Sequence, residues 1–235
     1  MRAMMAIVLL CLLASCGGSS ENIDTTGNPE VPVDSTETVV ENPEAGAEVR
    51  EYSTIEDYAR ITSREQLVTE FGSDNLVDGE SWYAEGSVRF DHTVLTDPVN
   101  GQIVKYLWKE DGNTLSAIEV CYYIFDEDYS ILGRQEVPSE CGVSTGMSLQ
   151  DLREWNGGDF DFFGFRWDYE GAILVEDGSR ISECPVLIKL SLYLEVEDPD
   201  EYSALWSDQV FNTADDAVQG APILIDKLTY YPDRN

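Results

Sequence analysis

Histidine is almost missing from this chain: His92 is the only one among 235 residues. That excludes a zinc site built on histidines, and no C-x-x-C pair replaces it. Gly142-Val143-Ser144-Thr145-Gly146 fits the G-x-S-x-G pattern, but no histidine follows Ser144 to activate it, so the stretch reads as a loop. Neither G-x-x-x-x-G-K-[ST] nor G-x-G-x-x-G occurs, which removes the common phosphate-cradling loops. Positive charge is scarce too, with 14 lysines and arginines against 46 acidic residues and a formal net charge of −32. A polyanion of this kind repels phosphates, which argues against nucleic acid as a partner and disfavours anionic lipid surfaces. Long apolar runs are missing as well. The longest, Met4 to Ala14, falls short of the roughly 20 residues a spanning helix needs.

That short run has a different use. It follows Met1-Arg2 and fits a secretory signal. Its end, Leu13-Ala14-Ser15-Cys16, resembles the lipobox of bacterial lipoproteins. The resemblance implies cleavage after residue 15, a diacylglycerol on the Cys16 sulfur and an acylated new N-terminus. Several acyl chains at about 0.8 kcal/mol per buried methylene make a firm anchor. Gly17 stands where an aspartate would resemble an inner-membrane retention signal, so the expected location is the outer membrane, on its periplasmic or cell-surface face. Residues 16–51 then form a tether of Gly, Ser, Thr, Asn, Pro and Glu that is too polar to offset its ordering entropy.

The rest of the chain repeats itself. An offset of 85 positions lays Thr62–Gly86 on Met147–Gly171 without a gap. Ser63/Ser148, Leu67/Leu152, Gly72/Gly157, Asp74/Asp159, Gly79/Gly164, Trp82/Trp167, Glu85/Glu170 and Gly86/Gly171 are then identical. Average composition gives roughly one or two matches over such a length. The shared positions are structural punctuation: a helix cap, a glycine stop, a strand glycine, a tryptophan and a turn. A duplicated helix–hairpin unit follows.

In the first unit, residues 52–139, Ser53-Thr54 cap a short helix over 55–61, and a second helix runs from Ser63 to Phe71. Strands are expected at 81–84, 87–90, 102–109 and 115–125. Val104, Tyr106 and Trp108 alternate with Lys105 and Leu107, so one face packs on helices. The second unit, residues 140–235, carries a helix with Leu149, Leu152 and Trp155 on one face, then an aromatic strand over 160–165. Gly164 marks a bulge or close backbone approach within that strand. Further strands are expected at 172–176, 186–196 and 222–231, with an acidic insert over 195–220 whose Tyr202, Leu205 and Trp206 suit a short helix. The fold class is therefore α+β: two tandem units, each with short helices on an antiparallel sheet of about four strands.

Little chemistry is legible. His92 follows Asp91, but neighbours on a strand point to opposite faces, so His92 reads as an exposed turn residue. Asp159, Asp161, Asp168 and Glu170 crowd one hairpin, where a carboxylate pair would suit glycoside hydrolysis. The loops 125–129 and 195–201 offer oxygen ligands for calcium without the EF-hand pattern. Besides Cys11 in the signal and Cys16, three cysteines remain. In an oxidising compartment they allow one disulfide; Cys141 and Cys184, both in loops, are the expected pair, leaving Cys121 mid-strand.

The capped helix, glycine stop and tryptophan-bearing hairpin, given twice, resemble the β-lactamase inhibitor protein and the small lipoprotein of the β-barrel assembly machinery. The second copy, GMSLQDLREWNGGDFDFFGFRWDYEG, is similar to a group of uncharacterised bacterial lipoproteins with a GxSLxxLxxLNGxxFxFxGFGWDYxG-like stretch. Trp155 departs from that pattern at a usual leucine and Arg166 at a usual glycine. The resemblance implies sheet faces able to grip a partner protein. The expected surface is Trp82, Tyr106, Trp108, Phe163, Trp167 and Tyr169. The expected function is a lipid-anchored, non-catalytic binding or scaffolding module with no cofactor, no metal and no catalytic residues. A carboxylate hydrolase or a calcium-dependent binder of the envelope is the alternative.

Overall fold

A computed structural model describes residues 51–84, 86–126, 128–195 and 199–234. The signal segment, Cys16 and the tether up to Arg50 lie outside the described residues, so the expectations placed on them are not addressed by it. From Glu51 onward the chain is a single unit.

The helices start where side chains satisfy free backbone N–H groups. Thr54 caps α1 (Ile55–Ala59) and forms a reciprocal capping box with Asp57. Ser63 caps α2 (Arg64–Phe71), and Gly72 stops it. Four strands follow in a meander: β1 (Leu76–Tyr83), β2 (Val88–Thr96), β3 (Ile103–Trp108) and β4 (Leu115–Cys121). A small hairpin, β5 (Tyr123–Phe125) and β6 (Ile131–Arg134), stands beside them. Ser148 caps α3 (Leu149–Asn156), which ends on a left-handed Gly157. Then come β7 (Asp161–Phe163), β8 (Ile173–Leu174), α4 (Arg180–Glu183), β9 (Val186–Leu192), β10 (Val210–Asn212) and β11 (Ile223–Tyr230).

The fold is mixed and sheet-dominated, with few helices and antiparallel strands. Its centre is one six-stranded sheet in the order β1-β2-β3-β4-β11-β9. β4 and β11 are hydrogen-bonded neighbours, so strands from both halves share this sheet rather than forming two separate ones. A bridge between Ala172 and Lys189 carries the ladder past β9 toward β8, which pairs with β7 and then β10. The core is likewise continuous. Tyr58, Leu67, Tyr106, Ile118, Leu152 and Ile225 are all fully buried in one cluster. Each such side chain contributes about 1.5–3 kcal/mol on leaving water.

Several expected boundaries moved for identifiable reasons. The strand expected over 115–125 breaks at Tyr122, whose N–H donates to the Asp226 carbonyl at 2.6 Å, while the Gln135 N–H donates to the Tyr122 carbonyl. The aromatic strand over 160–165 is regular only over β7. At Gly164 the chain passes so close to Ser207 and Leu205 that a Cβ would lie 2.5 Å and 2.8 Å from their carbonyl oxygens. The acidic insert holds a 3₁₀ turn over Pro199–Leu205 and, unexpectedly, β10, which pairs with β7. His92 is not in an exposed turn. β2 continues through it, and its buried ring fills the space above Gly79 and hydrogen-bonds the Ser81 hydroxyl at 2.9 Å.

Candidate functional site

Helices α1 and α3 pack against β4 and β11 at the centre of the six-stranded sheet. Strand alternation assigns the faces: Val104, Tyr106, Ile118 and Leu228 point toward the helices, so Lys105, Leu107, Glu119, Lys227 and Lys189 point away. This second face is concave. β1 lies three strand spacings from β4, about 14 Å in a flat sheet. Yet the Tyr83 hydroxyl donates to Glu119 Oε2 at 2.8 Å, so the β1–β2 hairpin curls over the face.

A row of charges crosses the bottom of the concavity. Lys105 Nζ is 3.9 Å from Glu119 Oε2, and Lys227 Nζ donates to Glu119 Oε1 at 2.8 Å. Lys227 stands directly opposite Lys189 across the β11–β9 register, and Lys189 Nζ donates to Glu170 Oε1 at 3.1 Å. Two like charges face to face are unfavourable on a sheet, and the flanking glutamates offset that. Burial pushes the Glu119 carboxyl upward, but the adjacent lysines outweigh it and hold it below its ordinary range. For Lys227 burial works downward and Glu119 prevails, leaving the ammonium above its ordinary range. Beside this row, a bulge leaves Asp226 out of register, and burial raises its carboxyl. Burial likewise pushes the Cys121 thiol up to about 11, so it is a poor nucleophile.

Around the row the face is apolar and partly exposed. Val88, Leu187, Tyr231 and Tyr169 are exposed, and Phe90 packs edge-on against Tyr83. A pocket of about 380 Å³ lies between Tyr83 on one side and the 168–172 turn on the other, with Glu119, Lys189 and Lys227 among its lining. Position 83 and position 168 coincide under the 85-residue offset, so the two copies of the repeated hairpin supply opposite walls.

The structure brings together only part of the expected surface. Tyr106 and Trp108 are 0% and 2% exposed, so they are core residues; they stack on each other on the helix side, and Trp108 Nε1 donates to Thr93. Trp82 is 53% exposed, but it alternates with Tyr83 and so belongs to the opposite face. Phe163, Trp167 and Tyr169 do form one aromatic cluster at the rim, with ring centroids 5.3–5.9 Å apart. Of the four crowded carboxylates, Asp159 takes bonds from Arg153 and Thr213, Asp161 from Asn212, and Glu170 from Lys189. Asp126, in the acidic loop, accepts the N–H groups of Asp128 and Ser130 within its own turn. Cys141 and Cys184 form a disulfide with Cα atoms 5.6 Å apart, tying the loop before α3 to the end of α4.

Sequence reasoning passed over Tyr83, Glu119, Lys189, Lys227 and Tyr231. A signal was present: the chain has four lysines, and three occupy alternating strand positions opposite the core residues. Comparison with protein families, curated proteins and solved structures gives no match.

Proposed function

We propose that this chain is a lipid-anchored envelope protein whose folded body is a non-catalytic binding or scaffolding module. It grips a protein partner in the concave sheet face. The observation that carries this reading is the face itself: curved by the β1–β2 hairpin and lined by exposed Leu187, Tyr231, Val88 and Tyr169 around an internally satisfied charge row. A rim of apolar and aromatic side chains around an internally paired polar centre suits protein recognition.

The body is read as two tandem units of inhibitor-like type. Strand order supports this: β1-β2-β3-β4 on one side of the β4–β11 seam is mirrored by β7, β8, β9 and β11 on the other. Anchoring at Cys16 and outer-membrane placement rest on the lipobox and on Gly17. The test is a crosslinked pull-down of the full chain from its own envelope. A stoichiometric partner is expected that Leu187→Arg abolishes and Val99→Arg, on the exposed β2–β3 loop, retains. Identical capture by both variants would remove the concave face from the account. Cys16→Ser is expected to release the protein from the membrane fraction.

A further inference from the structure

The pocket at the centre of the concave face has a charge arrangement that goes beyond a docking surface. Its floor offers no free charge, because Glu119 is taken by Lys227 and Glu170 by Lys189. Its edge does. Arg234 and Asp168 both line the pocket, are both exposed, and form no ion pair among the described residues. They are opposite in sign. Tyrosine rings, Tyr83 and Tyr231, and the aliphatic side chains of Ile173 and Val175 line the same pocket. The volume, about 380 Å³, is at the small end for ligand pockets, which run from about 300 to 1,000 Å³.

We propose that this pocket binds a small zwitterion of amino-acid or dipeptide size, with its carboxylate on Arg234 and its ammonium on Asp168. Charge complementarity selects the class. A simple anion would meet Asp168 unpaired and a simple cation would meet Arg234 unpaired, whereas a zwitterion satisfies both. Guanidinium–carboxylate pairing gives the stronger end of the contact. The tyrosines and aliphatic walls accept an apolar side chain between the charged ends. This proposal rests on the concave face being the binding surface, but it needs no protein partner.

The test uses the full chain and the dipeptide glycyl-phenylalanine, followed by NMR titration up to about 10 mM. Its N-acetyl and C-amide forms each delete one charge. Saturable binding of the free dipeptide is expected, weakened about five- to tenfold by either cap. Arg234→Gln is expected to weaken the free dipeptide to the level of the amide and to make amidation cost nothing further. Asp168→Asn is expected to do the same for acetylation. Both side chains are exposed and unpaired, so the variants leave the fold intact. Absence of saturable shifts, or equal binding of all three forms, overturns the proposal. Partner capture that survives such a result leaves the docking reading standing by itself.

Discussion

The two copies of the repeated stretch use the same residues for different work. In the first copy Gly86 closes the β1–β2 turn in open space, with a positive φ of 80° and nothing near a would-be Cβ. In the second, Gly171 also has positive φ, but a Cβ there would lie 1.9 Å from the Leu190 carbonyl oxygen. The second turn is pressed against β9, and the Leu190 N–H donates to the Gly171 carbonyl at 2.9 Å. The strand glycines differ in the same way. Gly79 makes room for a side chain, His92, whereas Gly164 makes room for backbone carbonyls. Trp82 is exposed, while its counterpart Trp167 packs with Phe163 and Tyr169 and its indole N–H is enclosed. Identity in sequence therefore preserved the local turn and cap chemistry, and the tertiary setting assigned the rest.

That contrast can be broken most forcefully at the turn glycines. Gly171→Ala is expected to cost about 3 kcal/mol or more, from backbone collision added to left-handed strain. Gly86→Ala should cost only about 1 kcal/mol, the strain alone. Urea unfolding of both variants checks the difference, and equal costs would show that the second turn does not press on β9. The helix caps sharpen the comparison from the other side. Ser63 accepts the Gln66 N–H and Ser148 the Asp151 N–H, each within the helix's own first turn. Ser63→Ala and Ser148→Ala are thus expected to cost about 1 kcal/mol each, alike within error.

The smallest effect belongs to His92, which packs over Gly79 of the first copy and has no such counterpart over Gly164. Burial is the main cause holding the His92 imidazole below its ordinary 6.5 in the folded state. Below pH 6.5 the unfolded chain takes up a proton that the folded chain refuses, so stability is whole above that pH and falls as pH drops through the folded value. His92→Asn keeps a polar group beside Ser81 and removes the titration. It is expected to lose less stability than the parent between pH 7 and pH 5, measured by unfolding at both; carboxylates titrate alike in the two proteins and cancel.

Local signals in the sequence were strong where the physics is local. Ser63 and Ser148 as caps, Gly72 and Gly157 as stops, and the alternation of Val104, Tyr106 and Ile118 all follow from spacing of a few residues. What escaped was set by distant partners. The break at Tyr122 depends on Asp226, more than a hundred positions away, and β10 exists because it completes the ladder beyond β7. The joining of β4 to β11 is likewise a long-range pairing with no local mark. The expected aromatic surface departs from the structure for one reason: tryptophan and tyrosine suit surface anchors and cores alike, Tyr106 and Trp108 fill the core, and the residues that mark the concave face are lysines at the alternate positions.

Those lysines supply the most direct test that the concave face is the occupied one. Lys105, Lys189 and Lys227 lie on it, and Lys109 lies on the β3–β4 turn, paired with Asp233. Acylation by a small amine-reactive reagent, quantified by mass spectrometry, compares the purified chain with the same chain in its native envelope. Occupation of the face predicts that Lys105 and Lys189 lose reactivity in the envelope while Lys109 keeps it. Unchanged reactivity at all four lysines, or protection of Lys109 alone, would contradict the account.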